Sequence, residues 1–202
     1  MSKLGQTDKL EIALGLFDHN MIKFGDFTLH SGIKSPMYCN LRNFVSYPEF
    51  AKQIARHYQT ITSELVFDQI GAIPYGAIGV ASAFSLEANI PWICARKESK
   101  NYGMGKDLIG EFETGQRILI VDDLVTTGGS KLESLVSFES SGLVVEDFAV
   151  ILDYNRGATK LLEDKGYSLH RMMLVEEVIQ ILRDQGRIDQ DTYDRVMGFL
   201  TI

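Results

Sequence analysis

The residues of this chain that could do chemistry gather in one stretch, Ile118-Leu-Ile-Val-Asp-Asp-Leu-Val-Thr-Thr-Gly-Gly-Ser130. An apolar run leads into two adjacent carboxylates, then a hydroxyl- and glycine-rich turn, then a helical pattern that begins near Lys131. Thr126 to Ser130 can present several backbone N–H groups and hydroxyls to one phosphate, at a helix start whose dipole favours an anion. Gly128 and Gly129 permit close backbone approach and a positive φ. Asp122 and Asp123 would repel that phosphate, so they suit sugar hydroxyls or a magnesium-bound sugar instead. Acids for hydroxyls beside amides for a phosphate describe a sugar-phosphate site. The plain alternative is a solvated Asp-Asp at a strand end; the apolar run before it and the helix after it argue against that. A P-loop would need Lys directly after its last Gly, and here Ser130 intervenes. The G-x-G of Gly103-Met-Gly105 follows a polar loop and not a strand, so a dinucleotide fingerprint is not credible.

A second cluster is basic. Arg96, Lys97, Lys100 and Lys106 place four of the chain's 20 basic residues within a few positions of one another, in a protein of net charge −7. Such a cluster neutralises a polyanion, although a solvated basic turn would look the same. Gly103, Gly105 and Gly110 around Asn101–Asp107 suit a lid that closes over substrate. Other constellations are bland. His19, His30, His57 and His170 have no i, i+4 partner and no nearby Cys, which argues against a histidine-held metal. Ser31 and Ser82 lack the G-x-S-x-G turn of a hydrolase. Cys39 and Cys94 are the two cysteines, too few for a disulfide framework or a four-cysteine zinc site. Cys94, Trp92, Met172 and Met173 read as packing.

The elements that must position these residues follow from periodicity. Leu10, Leu14, Phe17 and Met21 recur at helical spacing. A turn-rich stretch, Phe24 to Phe44, comes next. Ser46-Tyr-Pro-Glu49 reads as a capping box for a helix that carries Phe50, Ile54, Tyr58, Ile61 and Leu65 on one face. The short apolar runs Gln69–Ile73, Pro91–Ala95, Arg117–Val121 and Asp147–Leu152 suit strands buried on both faces of a parallel sheet. Helical patterns at Ile78–Ala88 and Lys131–Ser140 separate them, and two more, Val175–Gln185 and Asp189–Leu200, end the chain. Strand–helix alternation predicts an α/β fold with a doubly wound, mostly parallel sheet, whose ligands bind at the carboxyl ends of its strands. The 202 residues, 45% of them hydrophobic, are expected to form one domain with an N-terminal subregion of about 45 residues. The 27 acidic residues outnumber the 20 basic ones, which predicts no binding to nucleic acid or anionic membrane. No apolar run approaches the roughly 18 residues of a membrane span. Met1–Leu10 has no apolar core of the kind a secretory leader needs. A reduced, soluble, cytoplasmic protein is expected.

The stretch Val121 to Ser130 resembles the phosphoribosyl-pyrophosphate (PRPP) signature of type I phosphoribosyltransferases. Two more stretches resemble orotate phosphoribosyltransferases in particular. Lys23-Phe-Gly-Asp-Phe-Thr-Leu-His-Ser-Gly-Ile-Lys-Ser-Pro-Met-Tyr-Cys-Asn40 is similar to the N-terminal orotate-binding segment, and Arg96-Lys-Glu-Ser-Lys-Asn-Tyr-Gly103 to the mobile catalytic loop. The resemblance runs from about Leu14 to Gly157. It implies the type I phosphoribosyltransferase fold with a small N-terminal hood, and transfer of 5-phosphoribose from PRPP to orotate in pyrimidine biosynthesis. Carried over residue by residue, it implies that Lys23 contacts PRPP or orotate near the reacting centre and that the Tyr38-Cys39 backbone holds the pyrimidine. Tyr75 and Gly76 would lie beside the pyrophosphate. Arg96, Lys97 and Lys100 would bind that pyrophosphate, with Tyr102 in the same loop. Asp122, Asp123, Leu124, Val125, Thr126, Thr127, Gly128, Gly129 and Ser130 would enclose ribose and 5-phosphate. Thr126 would also touch orotate, and Arg156 would pair with its carboxylate. Lys100, Lys23, Asp122 and Asp123 are the implied catalytic residues. The resemblance further implies Mg2+ held mainly through PRPP, with no dedicated protein ligand, and a homodimer sharing the lid Arg96–Gly110.

Three positions depart from the pattern. Gly76 stands where many bacterial members have Lys, and Tyr102 where they have His; both departures also look like the orotate domain of the animal bifunctional enzyme. The segment Leu152-Asp-Tyr-Asn-Arg-Gly157 is one residue shorter than usual. The length is expected to leave no room for a fused decarboxylase in these 202 residues. A phosphoribosyltransferase for another base would share the Asp122–Ser130 turn without needing Lys23–Asn40 or Arg156. A PRPP-binding regulatory protein, or a structural paralogue, would keep the sugar-phosphate site without needing the lysines of the lid.

Overall fold

The computed structural model describes residues 4–28, 32–96 and 108–201. Helix α1 (Gln6–Asp18) leads into an antiparallel hairpin of β1 (Ile22–Thr28) and β2 (Lys34–Cys39). A short 3-10 helix, Leu41–Ser46, precedes α2 (Pro48–Thr62). Then come β3 (Gln69–Ala72), α3 (Gly76–Ala88), β4 (Trp92–Ala95), β5 (Leu108–Ile109) and β6 (Arg117–Val125). The chain continues through α4 (Gly129–Glu139), β7 (Val144–Asp153), α5 (Ala158–Glu163), β8 (Ser168–Leu174), α6 (Val175–Asp184) and α7 (Gln190–Leu200).

The large sheet has the order β5-β4-β3-β6-β7-β8. All its neighbours pair in parallel except β5, which runs antiparallel to β4 at the edge. Every residue of β3 is buried, as are six consecutive residues of β6, Ile118–Asp123. Successive strand residues point to opposite faces, so this pattern requires cover on both sides of the sheet. The α/β class and the parallel sheet expected from the apolar runs are therefore present. The chain starts in the middle at β3, builds outward through β4 and β5, and returns to place β6 on the other side of β3. That reversal opens a crevice at the carboxyl ends of β3 and β6, where a ligand site belongs in such a sheet.

Several boundaries differ from the expected ones. The stretch read as turns contains the hairpin, with Pro36 tolerated because β2 has a partner on one side only. On α1 the fully buried residues are Ile12, Ala13 and Leu16, while Leu10, Leu14 and Phe17 are half-buried. Met21 is buried but lies beyond the helix end. The capping box at Ser46 does not form. Ser46 closes the 3-10 helix, α2 starts one residue later after Tyr47, and Pro48 occupies its first position. Proline brings a preset φ and has no N–H to satisfy, so the helix starts there without a side-chain cap. Glu49 instead pairs with Lys52 at 2.9 Å. Strand β6 runs four residues past Val121, because β7 continues the ladder alongside it as far as Val125 opposite Asp153. The acids of the motif thus lie inside the strand's carboxyl end.

The hairpin is tied to the far end of the chain, where Arg195 of α7 pairs with Asp26 at 2.6 Å. Lys9 of α1 reaches Glu177 of α6 at 2.5 Å and joins the two terminal regions. The central tie between helix layer and sheet is Tyr58 on α2. It is fully buried, stacks on Phe84 at 5.4 Å between ring centroids, and donates its hydroxyl to the Asp122 carbonyl oxygen at 2.7 Å. Among the described residues, no helix is long and apolar enough to cross a membrane. Replacing Tyr58 with Phe strands that buried carbonyl and is expected to lower the unfolding free energy by about 1–2 kcal/mol. Urea denaturation would show a lower midpoint at an unchanged slope; an unshifted midpoint would mean the tie contributes nothing.

Candidate active site

The end of β6 concentrates charge where the fold excludes water. Asp122, Asp123 and Lys131 are 7%, 8% and 5% exposed. The Lys131 ammonium donates to Asp122 Oδ2 in a close ion pair, while Asp122 Oδ1 accepts the Asp123 backbone N–H at 2.8 Å. Asp123 Oδ1 accepts the Leu124 N–H at 2.8 Å, and the two carboxyl groups also hydrogen-bond to each other. Burial first, and the neighbouring Asp122 carboxylate second, push the Asp123 carboxyl up to about 7 from an ordinary 3.8. The Leu124 N–H and the Lys131 charge oppose the shift without cancelling it.

Gly76, at the start of α3, makes this arrangement possible. A Cβ at that position would lie 2.8–2.9 Å from all three atoms of the Asp123 carboxyl group. The departure noted at this position therefore has a steric counterpart: any side chain at 76 would have to displace Asp123. Tyr75, beside it, is 61% exposed and follows a cis peptide after Pro74.

Beyond β6, Gly128 takes φ +86° and turns the chain into α4, which begins two residues before Lys131. The first N–H groups of a helix have no partner within it, and here no side chain caps them. Thr126, Thr127 and Ser130 are exposed around this helix head, and no Cβ contact closes over Gly129. The uncapped amides of α4 thus follow closely in the chain on the acids of the strand end.

The hood approaches from β2. Cys39 lies next to Tyr154, the two sharing a side-chain hydrogen bond, and both groups feel the Asp123 charge. Burial, then Asp123, push the Cys39 thiol up, while the Tyr154 hydrogen bond pulls it back; burial likewise raises Tyr154. Lys23 and Tyr38 are register partners on the hairpin and both are exposed. Arg156 donates to the Phe199 carbonyl oxygen of α7 at 2.9 Å and lies over the Phe199 ring at 4.8 Å, and its buried Nε has no partner among the described residues. Arg96 is exposed just after β4. Lys97, Lys100 and Tyr102 lie outside the described residues. A cavity of about 610 Å³ opens between the hairpin and α7, lined by residues such as Phe27, Lys34, Arg195 and Phe199; none of the expected substrate-binding residues lines it.

No family model matches the chain. The orotate phosphoribosyltransferase of Cenarchaeum symbiosum is 37% identical to it over 187 residues, covering 91% of this chain and 94% of that one. This chain belongs to the orotate phosphoribosyltransferase family. Among solved structures, Leishmania donovani UMP synthase superposes with a TM-score of 0.89 at 35% identity, over 98% of this chain and 42% of that one. The Mycobacterium tuberculosis orotate phosphoribosyltransferase solved in complex with PRPP gives 0.71 at 25% identity, over 85% of this chain and 98% of that one. The chain spans about two fifths of the length of the longer relatives it also matches.

Three residues of the site escaped the sequence reading. Tyr58 was seen as a core residue, and its hydroxyl partner is a backbone atom that no pattern discloses. Asp153 is fully buried and accepts from Asn155 N at 2.8 Å and from Arg171 at 3.2 Å, which orders the turn that carries Arg156. Lys131 did leave a signal. A cation in the first turn of a helix opposes the dipole, so it calls for a buried acid nearby.

The raised Asp123 carboxyl predicts a pH dependence of stability. The folded state holds this proton more tightly than the unfolded chain does, so the contribution is complete below about 3.8. It is lost progressively as pH rises through about 7. Asp123→Asn should therefore raise the unfolding free energy above neutrality, by on the order of 1–3 kcal/mol, and flatten its decline below it. Denaturation midpoints across that range would test this; a variant as pH-dependent as wild type would assign the decline to another group.

Proposed function

We propose that this chain transfers 5-phosphoribose from PRPP to orotate, giving orotidine 5′-monophosphate and pyrophosphate in the de novo pathway to UMP. The observation that carries this reading is the pairing, at one sheet crevice, of the Asp122–Asp123 carboxyls with the uncapped head of α4, in a member of the orotate phosphoribosyltransferase family. Asp123 faces the ribose, the Thr126–Ser130 amides and hydroxyls take the 5-phosphate, and the Tyr75-Gly76 turn lies beside the pyrophosphate. Arg96, Lys97 and Lys100 neutralise that leaving group. Lys23 reaches the reacting centre, the Tyr38-Cys39 backbone and Thr126 hold the pyrimidine, and Arg156 reads its carboxylate.

Orotate offers a nucleophilic nitrogen once ionised, so the reaction needs no strong protein base. What the chain contributes is alignment of the two substrates and charge placed where charge develops. A carboxylate at the ribose favours the positive charge that builds as the pyrophosphate bond breaks, and cations on the lid favour the departing anion. Closure of the lid keeps water from capturing that centre. Magnesium, when bound, supplies further neutralisation of the pyrophosphate. In this reading the ion arrives on PRPP oxygens and needs no dedicated protein ligand. A cytoplasmic homodimer, with the lid Arg96–Gly110 serving the partner's site, completes the reading.

Loss of orotate absorbance in the presence of PRPP and magnesium tests the proposal directly, and a chain that consumes no orotate would refute it. Orotate should be used far faster than uracil, and Arg156→Ala should lower kcat/KM for orotate by about 10²-fold while sparing uracil. Undiminished discrimination would move carboxylate recognition to another cation. The shared lid makes a separate claim. Mixing inactive Lys100→Ala with inactive Asp123→Asn should restore activity once subunits exchange, because each mixed dimer holds one intact site. Proven exchange without recovery would mean that each lid serves its own subunit.

A further inference from the structure

The two acids of the motif are not equivalent in space. Asp122 directs both of its carboxylate oxygens inward, one to the Lys131 ammonium and the other to the Asp123 N–H, and its carbonyl is tied to Tyr58. The Asp123 carboxyl packs against Gly76 at the start of α3. Groups face the pair from four other elements: Tyr58 on α2, Cys39 on β2, Tyr154 after β7 and Lys131 on α4. Of these only Lys131 is a cation. A buried ammonium at the start of a helix is electrostatically costly unless a carboxylate answers it, and a second buried carboxylate beside the first is costly unless something offsets its charge. One ion pair resolves both costs.

We infer that Lys131 is a positioning residue: it holds Asp122 as a permanently paired carboxylate, so that Asp123 is left as the single carboxyl group that meets the ribose of PRPP. This assignment rests on the function proposed above and divides roles that the motif by itself gives to both acids. Lys131 touches neither substrate in this scheme. It acts through Asp122, by holding that carboxylate in an ion pair so that Asp123 is the acid offered to a sugar hydroxyl. Without the ammonium, Asp122 would compete with Asp123 for protons and for hydrogen bonds, and the ribose would meet a pair that shares one charge.

A double-mutant cycle tests this. Lys131→Met should raise KM for PRPP about tenfold while kcat changes by less than about threefold, the signature of lost ground-state positioning. In an Asp122→Asn background the same substitution should change KM by less than about twofold, because its route of action is gone. An equal effect in both backgrounds, or a Lys131→Met enzyme with altered thermal stability and wild-type KM, would overturn the assignment. If the Asp122→Asn background fails to fold, the carboxyl carbon signals of 13C-labelled aspartate answer the question. In the Lys131→Met variant the Asp123 signal should change its titration, and an Asp123 signal that titrates as in wild type would overturn the proposal. This measurement needs no substrate, so it remains decisive for Lys131 even if the chain proves inactive on orotate.

Discussion

Two carboxyl groups buried side by side at the end of a central strand are the constraint around which this molecule is arranged. Each must leave water, and each opposes the ionisation of the other. The fold meets the demand with one ammonium, two backbone N–H groups and a hydrogen bond between the acids themselves. The offset is incomplete, as the raised Asp123 carboxyl shows. An acid left poised in this way is a destabilising feature of the free protein. Under the proposed function, substrate hydroxyls would supply the partners that the fold withholds, so stability and function would pull in opposite directions at Asp123.

The surrounding elements are ordered by that requirement. Strand β6 can carry acids at its carboxyl end because β3 and β7 flank it and fix its backbone. The Asp123 carboxyl keeps its seat against the start of α3 because position 76 has no side chain to displace it. Tyr58 pins the strand to α2 at the residue where the charge begins. The glycine turn then follows directly, where β6 gives way to α4, so that the anion-favouring amides of the helix head lie next in the chain to the acids of the strand end.

The hood shows how far apart in sequence the parts of one site lie. Its hairpin comes from the first forty residues, yet it is clamped by α7 at the other end of the chain. Arg156 is placed by the same helix, through Phe199. From sequence the last two helical patterns only end the chain; in the structure α7 contacts both the hairpin and the residue expected to read the substrate's carboxylate. A change in α7 would therefore be felt at both.

Much of the architecture was written in local pattern. Apolar runs bounded by glycine and proline marked the strands, and Phe50, Ile54, Tyr58 and Ile61 marked the buried face of α2, because side-chain periodicity is a property of neighbouring residues. The Asp122–Ser130 motif was equally legible, since a strand, two acids and a glycine turn lie within a few positions of each other. Other features were not. The hairpin was hidden by its turn residues, and the capping box at Ser46 failed because Pro48 and the preceding 3-10 helix moved the start of α2. The pairing of Lys131 with Asp122, the seat of Asp123 on Gly76, and the bond from Tyr58 to a backbone carbonyl each join elements whose approach is set by packing across the sheet. Sequence alone determined which residues could bind a sugar phosphate. Only the tertiary structure decided which of the two acids pairs with Lys131, because burial and distance between chain segments, not residue type, set the energy of a charge.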